Sequence, residues 1–168
     1  MQQTALCVRQ AKACDIAGLM DVHQAAWLHA YRGIIPGREL SRMVHHRGPA
    51  WWRAHLRHKS GLLVADYEDT VAGYVSYGRA RMRAAPSSGE IFELYLLPEF
   101  QGLGFGRRLF RAAQADLKRF GYASLVVWAL ADNELATGFY RALGGTEAGT
   151  APERFGPVSV ERQAFRFA

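Results

Sequence analysis

Lysine and cysteine are both scarce in this chain. Of its 21 basic residues only Lys12, Lys59 and Lys118 are lysine. The two cysteines, Cys7 and Cys14, stand at C-x6-C, a spacing that matches no zinc or redox motif. They read as small buried or half-buried residues, and no metal is expected. No apolar run approaches the ~18 to 20 residues of a membrane helix, which excludes a membrane partner of that kind. Met1-Gln2-Gln3-Thr4 is polar, with no basic stretch before an apolar one. The expectation is therefore no secretory signal and a cytoplasmic location. Internal repeats and low-complexity tracts are also missing.

What is present fits one domain over residues 1–168. Apolar residues make up 49% and charged residues 21% of the chain, the balance of a globular protein rather than a disordered one. The net charge of +6 suits an anionic ligand or a nucleic acid without choosing between them. No nucleic-acid motif accompanies the charge, so no nucleic-acid partner is expected.

Hydrophobic periodicity and turn residues divide the chain. Ala5 to Gln10 predicts a strand. Asp15 is placed to cap a helix carrying Ile16, Leu19, Met20, His23, Trp27 and Ala30 at helical spacing. Two short helices follow, Arg38 to His46 and Pro49 to His58. Leu62 to Tyr67 and Val71 to Arg79 form a hairpin about Glu68-Asp69, and Arg83 to Gly89 a loop. Ile91 to Leu97 is a dense apolar run expected as a central strand. The helix after Gly106 carries Phe110, Ala113, Leu117 and Phe120 on one face and stops at Gly121. A strand Leu125 to Leu130 and a helix Asn133 to Leu143 come next. Two closing strands, Thr146 to Thr150 and Ser159 to Phe167, flank a loop Pro152 to Pro157. The order predicts an α/β fold with a mixed sheet.

The chemistry concentrates where the central strand meets Gln101-Gly102-Leu103-Gly104-Phe105-Gly106-Arg107-Arg108. A glycine-rich turn opening a helix aims unpartnered N–H groups and the positive helix end at an anion, and glycine lets the backbone approach it closely. A Walker A loop fails because Gly106 is followed by Arg107-Arg108. A G-x-G-x-x-G dinucleotide loop fails because its third glycine would fall on Arg107 or Leu109.

What fits is Q-x-x-G-x-G over Gln101 to Gly106, which resembles motif A of the GNAT superfamily of acetyl-CoA-dependent N-acetyltransferases. Trp128-Ala129-Leu130-Ala131-Asp132-Asn133 and Phe139-Tyr140-Arg141-Ala142-Leu143-Gly144 resemble its motif B. Ala26-Trp27-Leu28-His29-Ala30-Tyr31-Arg32-Gly33-Ile34-Ile35-Pro36 resembles a segment of many bacterial members. Two positions depart from the pattern: Gly145 stands where many members carry an aromatic, and Gly138 lies inside the short helix that presents Tyr140.

The resemblance implies a central mixed sheet of about six to seven strands flanked by about four to five helices. Acetyl-CoA is the implied cosubstrate, without a metal. The amides of Gly102, Leu103, Gly104, Phe105, Gly106 and Arg107, with Gln101, would hold its pyrophosphate. Main-chain groups of Leu94 and Leu96 would pair with the pantetheine arm where the strands Glu90 to Leu97 and Leu125 to Leu130 part, and Asn133 would bond it. Tyr140 would protonate the leaving thiolate, and Glu93 would serve as general base. The implied reaction is direct transfer to a primary amine of a small molecule, a peptide N-terminus or a lysine. Trp27, Tyr31 and Trp128 are candidates to line the acceptor pocket. The rival reading is a silent CoA-binding sensor or scaffold. A homodimer is compatible with the family, with Ser159 to Phe167 as the pairing strand.

Other clusters read as surface. His45, His46, His55 and His58 lack the partners of a metal site and fit a solvated helix face. Arg38 to Lys59 holds six basic residues against one acid, Glu39. Arg79, Arg81 and Arg83 alternate and would share one strand face, either as solvated surface or as a stripe that attracts an acidic acceptor or partner.

Overall fold

The computed structural model describes residues 6–58, 61–81 and 88–168. One seven-stranded mixed sheet runs in the order β1-β2-β3-β4-β5-β7-β6. Its strands are β1 (Cys7–Gln10), β2 (Gly61–Tyr67), β3 (Thr70–Arg79), β4 (Ser88–Leu96), β5 (Ser124–Leu130), β6 (Thr146–Phe155) and β7 (Val158–Phe167). The five helices are α1 (Ile16–Tyr31), α2 (Gly37–His46), α3 (Pro49–Leu56), α4 (Phe105–Arg119) and α5 (Glu134–Ala142). Among the described strands only β4 and β5 pair in parallel, joined by a right-sized crossover through α4.

The sheet is buried on both faces, which is why β2 is apolar at consecutive positions. Leu63, Val75, Tyr77 and Ile91 meet Leu109, Phe110, Ala113 and Leu117 of α4. On the other face Leu62, Val64 and Tyr74 meet Leu19 and Val22 of α1 and Trp52 of α3. The β2–β3 turn places Glu68 and Asp69 at φ 49° and 60°, the paired left-handed geometry that suits the twist of a two-residue hairpin.

Several expectations need correction. Cys7 and Cys14 are exposed, because β1 is a short outer strand and Cys14 sits on the one-turn helix after it. Phe120 lies beyond the end of α4 and is 65% exposed, so it does not extend the apolar face. Gly89 belongs to β4 rather than to a loop; residues 83–87 lie outside the described segments. Pro152 to Pro157 is mostly strand: β6 runs to Phe155 and the turn is Gly156-Pro157. Proline is tolerated there because β6 is an outer strand. For the same reason β7 is no pairing edge, since it is bonded to β5 on one side and β6 on the other.

Asp15 precedes α1 but its side chain does not cap it. Its carboxylate accepts from the Lys12 N–H at 2.7 Å and from Arg9 at 2.8 and 2.9 Å, closing the turn before the helix. The Arg9 guanidinium holds the Asp15 pKa below its ordinary 3.8, against the opposing effect of burial. A carboxyl depressed in the folded state adds stability that is complete above the ordinary value and is lost as pH falls through the folded one. Asp15→Asn is expected to cost about 1.5–3 kcal/mol at neutral pH. Melting curves against pH should show that gap shrinking once the pH drops below 3.8.

Candidate active site

β4 and β5 stay paired only from Ser88 and Ser124 to Ile91 and Val127. Across β3, Tyr77 faces Ile91 and Ser76 faces Glu93, so Phe92 is an extra residue in β4. A bulge bends its strand and sharpens the local twist. Ile91 and Glu93 consequently point to opposite faces, Ile91 into the core beneath α4 and Glu93 toward Tyr74 and Arg47. Past the bulge β4 leaves β5, which continues beside β7 as far as Leu130. A cleft of about 320 Å³ opens between them, walled by Phe92 to Leu96 on one side and by Trp128 and Ala129 on the other. The Leu97 N–H donates back to Ala72 at 2.9 Å. Main-chain groups alternate sides along an antiparallel strand, so those of Leu94 and Leu96 face the cleft without a strand partner.

At one end of the cleft, Gly102 and Gly104 hold φ at 75° and 85°, which favours glycine. A Cβ added at either would meet nothing within 4 Å, so the space before the turn is open. The first main-chain bond of the helix is Arg108 N–H to Gly104 at 3.2 Å. The preceding amides, Gly102 to Arg107, have no partner among the described residues. Gln101, Gly102, Gly104, Gly106 and Arg107 line the cleft. Leu103 and Phe105 offer it only main chain: the Leu103 side chain is exposed, and Phe105 packs on Phe100 and Tyr67.

α5 supplies the opposite lip. Asn133 accepts from the Ala136 N–H at 3.2 Å, which caps α5, and its Nδ2 has no partner among the described residues. Tyr140 lies against Phe110 and Phe165 with its hydroxyl free of any hydrogen bond to the described residues. Burial pushes its pKa up and keeps the phenol protonated. Gly145 is explained by the same packing. A Cβ there would sit 2.7 Å from the Phe167 ring, so Phe167 fills the aromatic's place. Gly138, by contrast, is exposed and open, and nothing within 4 Å would meet a Cβ. Gly138→Ala should therefore raise stability by about 0.5–1 kcal/mol, seen as a rise of a few degrees in Tm.

Facing Tyr140 across the cleft is a polar and aromatic wall. Arg47 Nη1 donates to both oxygens of Glu93 at 2.7 and 2.8 Å, and the Tyr74 hydroxyl stands 3.4 Å from one of them. Arg47 lies over Trp51 at 4.4 Å and Trp27 at 5.4 Å. Burial is the largest single influence and opposes its charge, but Glu93, Tyr74 and Tyr95 together raise its pKa. The Tyr31 and Tyr95 hydroxyls bond each other at 2.8 Å, and burial carries Tyr31 to about 12. His23 is buried between Trp27 and Trp52, and burial lowers its pKa to about 3, so it is neutral.

Tyr31, Glu93, Leu94, Leu96, Trp128, Asn133 and Tyr140 thus all line one cleft. Trp27 does not line it; it is packed with Tyr31, Ile35 and Leu40. Arg47, Tyr74 and Tyr95 carry the wall but were not singled out from sequence. Arg47 sits in a basic run that reads as surface, and its pairing with Glu93, 46 residues away, leaves no local signal. His55 also departs from the solvated face, stacking on Trp51 at 5.0 Å. Of the arginine stripe, Arg81 donates to buried Glu90 at 2.7 Å, and Arg83 lies outside the described residues. Among the described residues no three His, Cys, Asp or Glu side chains gather as a metal site, and no helix is long and apolar enough to cross a membrane.

Residues 22–144 match the model of the Acetyltransferase (GNAT) family. An uncharacterized N-acetyltransferase of Bacillus subtilis (strain 168), YuaI, is 33% identical over 136 residues, covering 80% of this chain and 77% of that one. The chain belongs to the GNAT acetyltransferase family. It is thereby an acetyl-CoA-dependent acetyltransferase. Solved structures agree on the fold. PaiA N-acetyltransferase of Thermoplasma acidophilum, in complex with coenzyme A, superposes with a TM-score of 0.74 at 18% identity, covering 95% of this GNAT chain and 98% of its own. YncA of Salmonella typhimurium, with its cofactor acetyl-CoA, gives 0.72 at 23% identity, over 97% and 93%.

Proposed function

We propose that this acetyltransferase moves the acetyl group directly to a primary amine within the β4–β5 cleft, as one domain. The observation that carries this is the placement of unpartnered amides at one end of the cleft and of Tyr140 and Glu93 on its two sides. The amides of Gly102 to Arg107 suit a pyrophosphate. The free main-chain groups of Leu94 and Leu96, with Asn133 Nδ2, suit the amide-bearing pantetheine arm. When bound, acetyl-CoA supplies the thioester.

The amine attacks as the free base; for an ordinary alkylamine with pKa near 10.4, neutralisation at pH 7 costs roughly 4–5 kcal/mol. Glu93 is the acid-base group on that side. With Arg47 on both its oxygens, it takes up the amine's proton through a water. A β4 N–H facing the cleft is placed to donate to the carbonyl oxygen as charge grows on it. Tyr140 gives its hydroxyl proton to the sulfur as the C–S bond breaks and the C–N bond forms. Two free, exposed thiols, Cys7 and Cys14, support a reducing, cytoplasmic setting. If copies pair through a sheet edge, β6 or β1 is the available strand.

The test is a thermal-shift titration with acetyl-CoA, CoA and NAD in parallel. At 100 times its Kd a ligand adds about 2.7 kcal/mol, a shift of several degrees. Both CoA species should shift the melt and NAD should not. No shift with CoA would remove the basis of the assignment.

A further inference from the structure

Among the described residues lining the cleft Glu93 is the one acidic side chain, and Arg47 balances its charge while leaving it part-exposed to an amine. A polycationic amine would need several carboxylates there. Arg47 is the less satisfied member of the pair. Both its bonds to Glu93 leave from Nη1, and Nη2 and Nε have no partner among the described residues. Neither of those nitrogens is among the atoms sealed from solvent, and the side chains of Arg47 and Glu93 are 18% and 13% exposed. Arg47 stands behind Glu93 on the cleft wall, and the Trp51 and Trp27 rings, 4.4 and 5.4 Å from its guanidinium carbon, limit how far it can move.

The α1–α3 segment that carries Arg47 is basic, and the acid that reaches Tyr31 from β6, Glu153, is paired with Arg162. Arg32, Arg38, Arg53 and Arg57 are exposed on the α1–α3 segment and form no ion pair among the described residues, whereas Arg42 is neutralised by Glu39. The other groups facing the pair are neutral: Tyr31, Tyr74 and Tyr95 are phenols held protonated by burial, and burial also disfavours charge on His23 and His55. A fixed cation and anion 2.7 Å apart, both open at their edges, complement a small molecule carrying both charges close together.

We propose that the acceptor is a zwitterionic amine of the free amino-acid class, its amine directed to Glu93 and its carboxylate held by the free Nη2 and Nε of Arg47. This rests on the acetyl-transfer reading above. It makes Arg47 the residue that selects the acceptor and disfavours polyamines and aminoglycosides.

The experiment follows CoA release from acetyl-CoA with the twenty amino acids, their carboxamides, spermidine and putrescine, using wild type, Arg47→Met and Arg47→Lys. At least one free amino acid should turn over in wild type, and its carboxamide should lose about tenfold or more in kcat/KM, the loss of a charge-assisted hydrogen bond. In Arg47→Met the acid and its amide should become nearly equal, with KM for acetyl-CoA unchanged within about twofold. Arg47→Lys should recover part of the preference. The comparison of acid with amide in wild type holds even if a variant fails to fold. Turnover of spermidine above every amino acid, an amide as good as its acid, or no turnover of any amino acid would each overturn the proposal. A thermal shift with CoA measured on the same samples separates these outcomes from failure of the transferase reading.

Discussion

Tyr140→Phe is expected to lower kcat by about 10² to 10⁴ with any amine the wild type acetylates, the range lost with a positioned general acid. The affinity for acetyl-CoA should change little. The phenyl ring keeps its contacts with Phe110 and Phe165, and the hydroxyl has no hydrogen bond to the described residues to lose. The fold should therefore be unharmed, and the thermal shift with CoA should persist. Because burial raises the Tyr140 pKa, the phenol remains a donor throughout the neutral range. An unchanged kcat would reject the acid role and hand the proton to solvent in the open cleft.

Gly104→Asp should abolish the response to CoA while leaving a folded protein. The φ of 85° costs an aspartate about 1 kcal/mol or somewhat more, less than most residues, since its short polar side chain tolerates the left-handed region. The new carboxylate would project into space that is empty of protein atoms within 4 Å, beside the unpartnered amides of the α4 entrance. There it occupies and repels the position of a phosphate. A loss of about 100-fold or more in apparent affinity is expected, read by calorimetric titration. Gly104→Ala is the control: it keeps the strain and adds no charge. Full CoA binding by the aspartate variant would move the anion site away from this turn.

Much of the architecture was legible because its signals are local. Alternation, helical spacing and the Glu68-Asp69 turn mark elements from within a few residues, and the glycines at 102, 104 and 106 mark the α4 entrance. What escaped depends on distance. Arg47 looks like one more surface arginine until β4 brings Glu93 to it. Tyr31 and Tyr95 are 64 residues apart and meet only because α1 crosses the bulged part of β4. Asp15 satisfies a composition rule for helix starts, yet Arg9 on β1 draws its carboxylate away. The extension of β6 through Pro152 was hidden because the rule against proline in strands lapses at an outer edge.

The extra residue in β4 gives this chain an unusual sensitivity to length. The Phe92 ring walls the cleft and lies under Arg81, but the opening itself depends on the residue being counted, not on its ring. Deleting it is another matter. Glu93 would follow Ile91 directly, and ordinary alternation would still send the two to opposite faces, so every side chain downstream would keep its side. The core would register almost nothing. Yet β4 would continue alongside β5, the two strands would zip together, and the room for a ligand would be spent on main-chain bonds. A single codon lost here would leave a well-folded protein with a more regular sheet and no cleft.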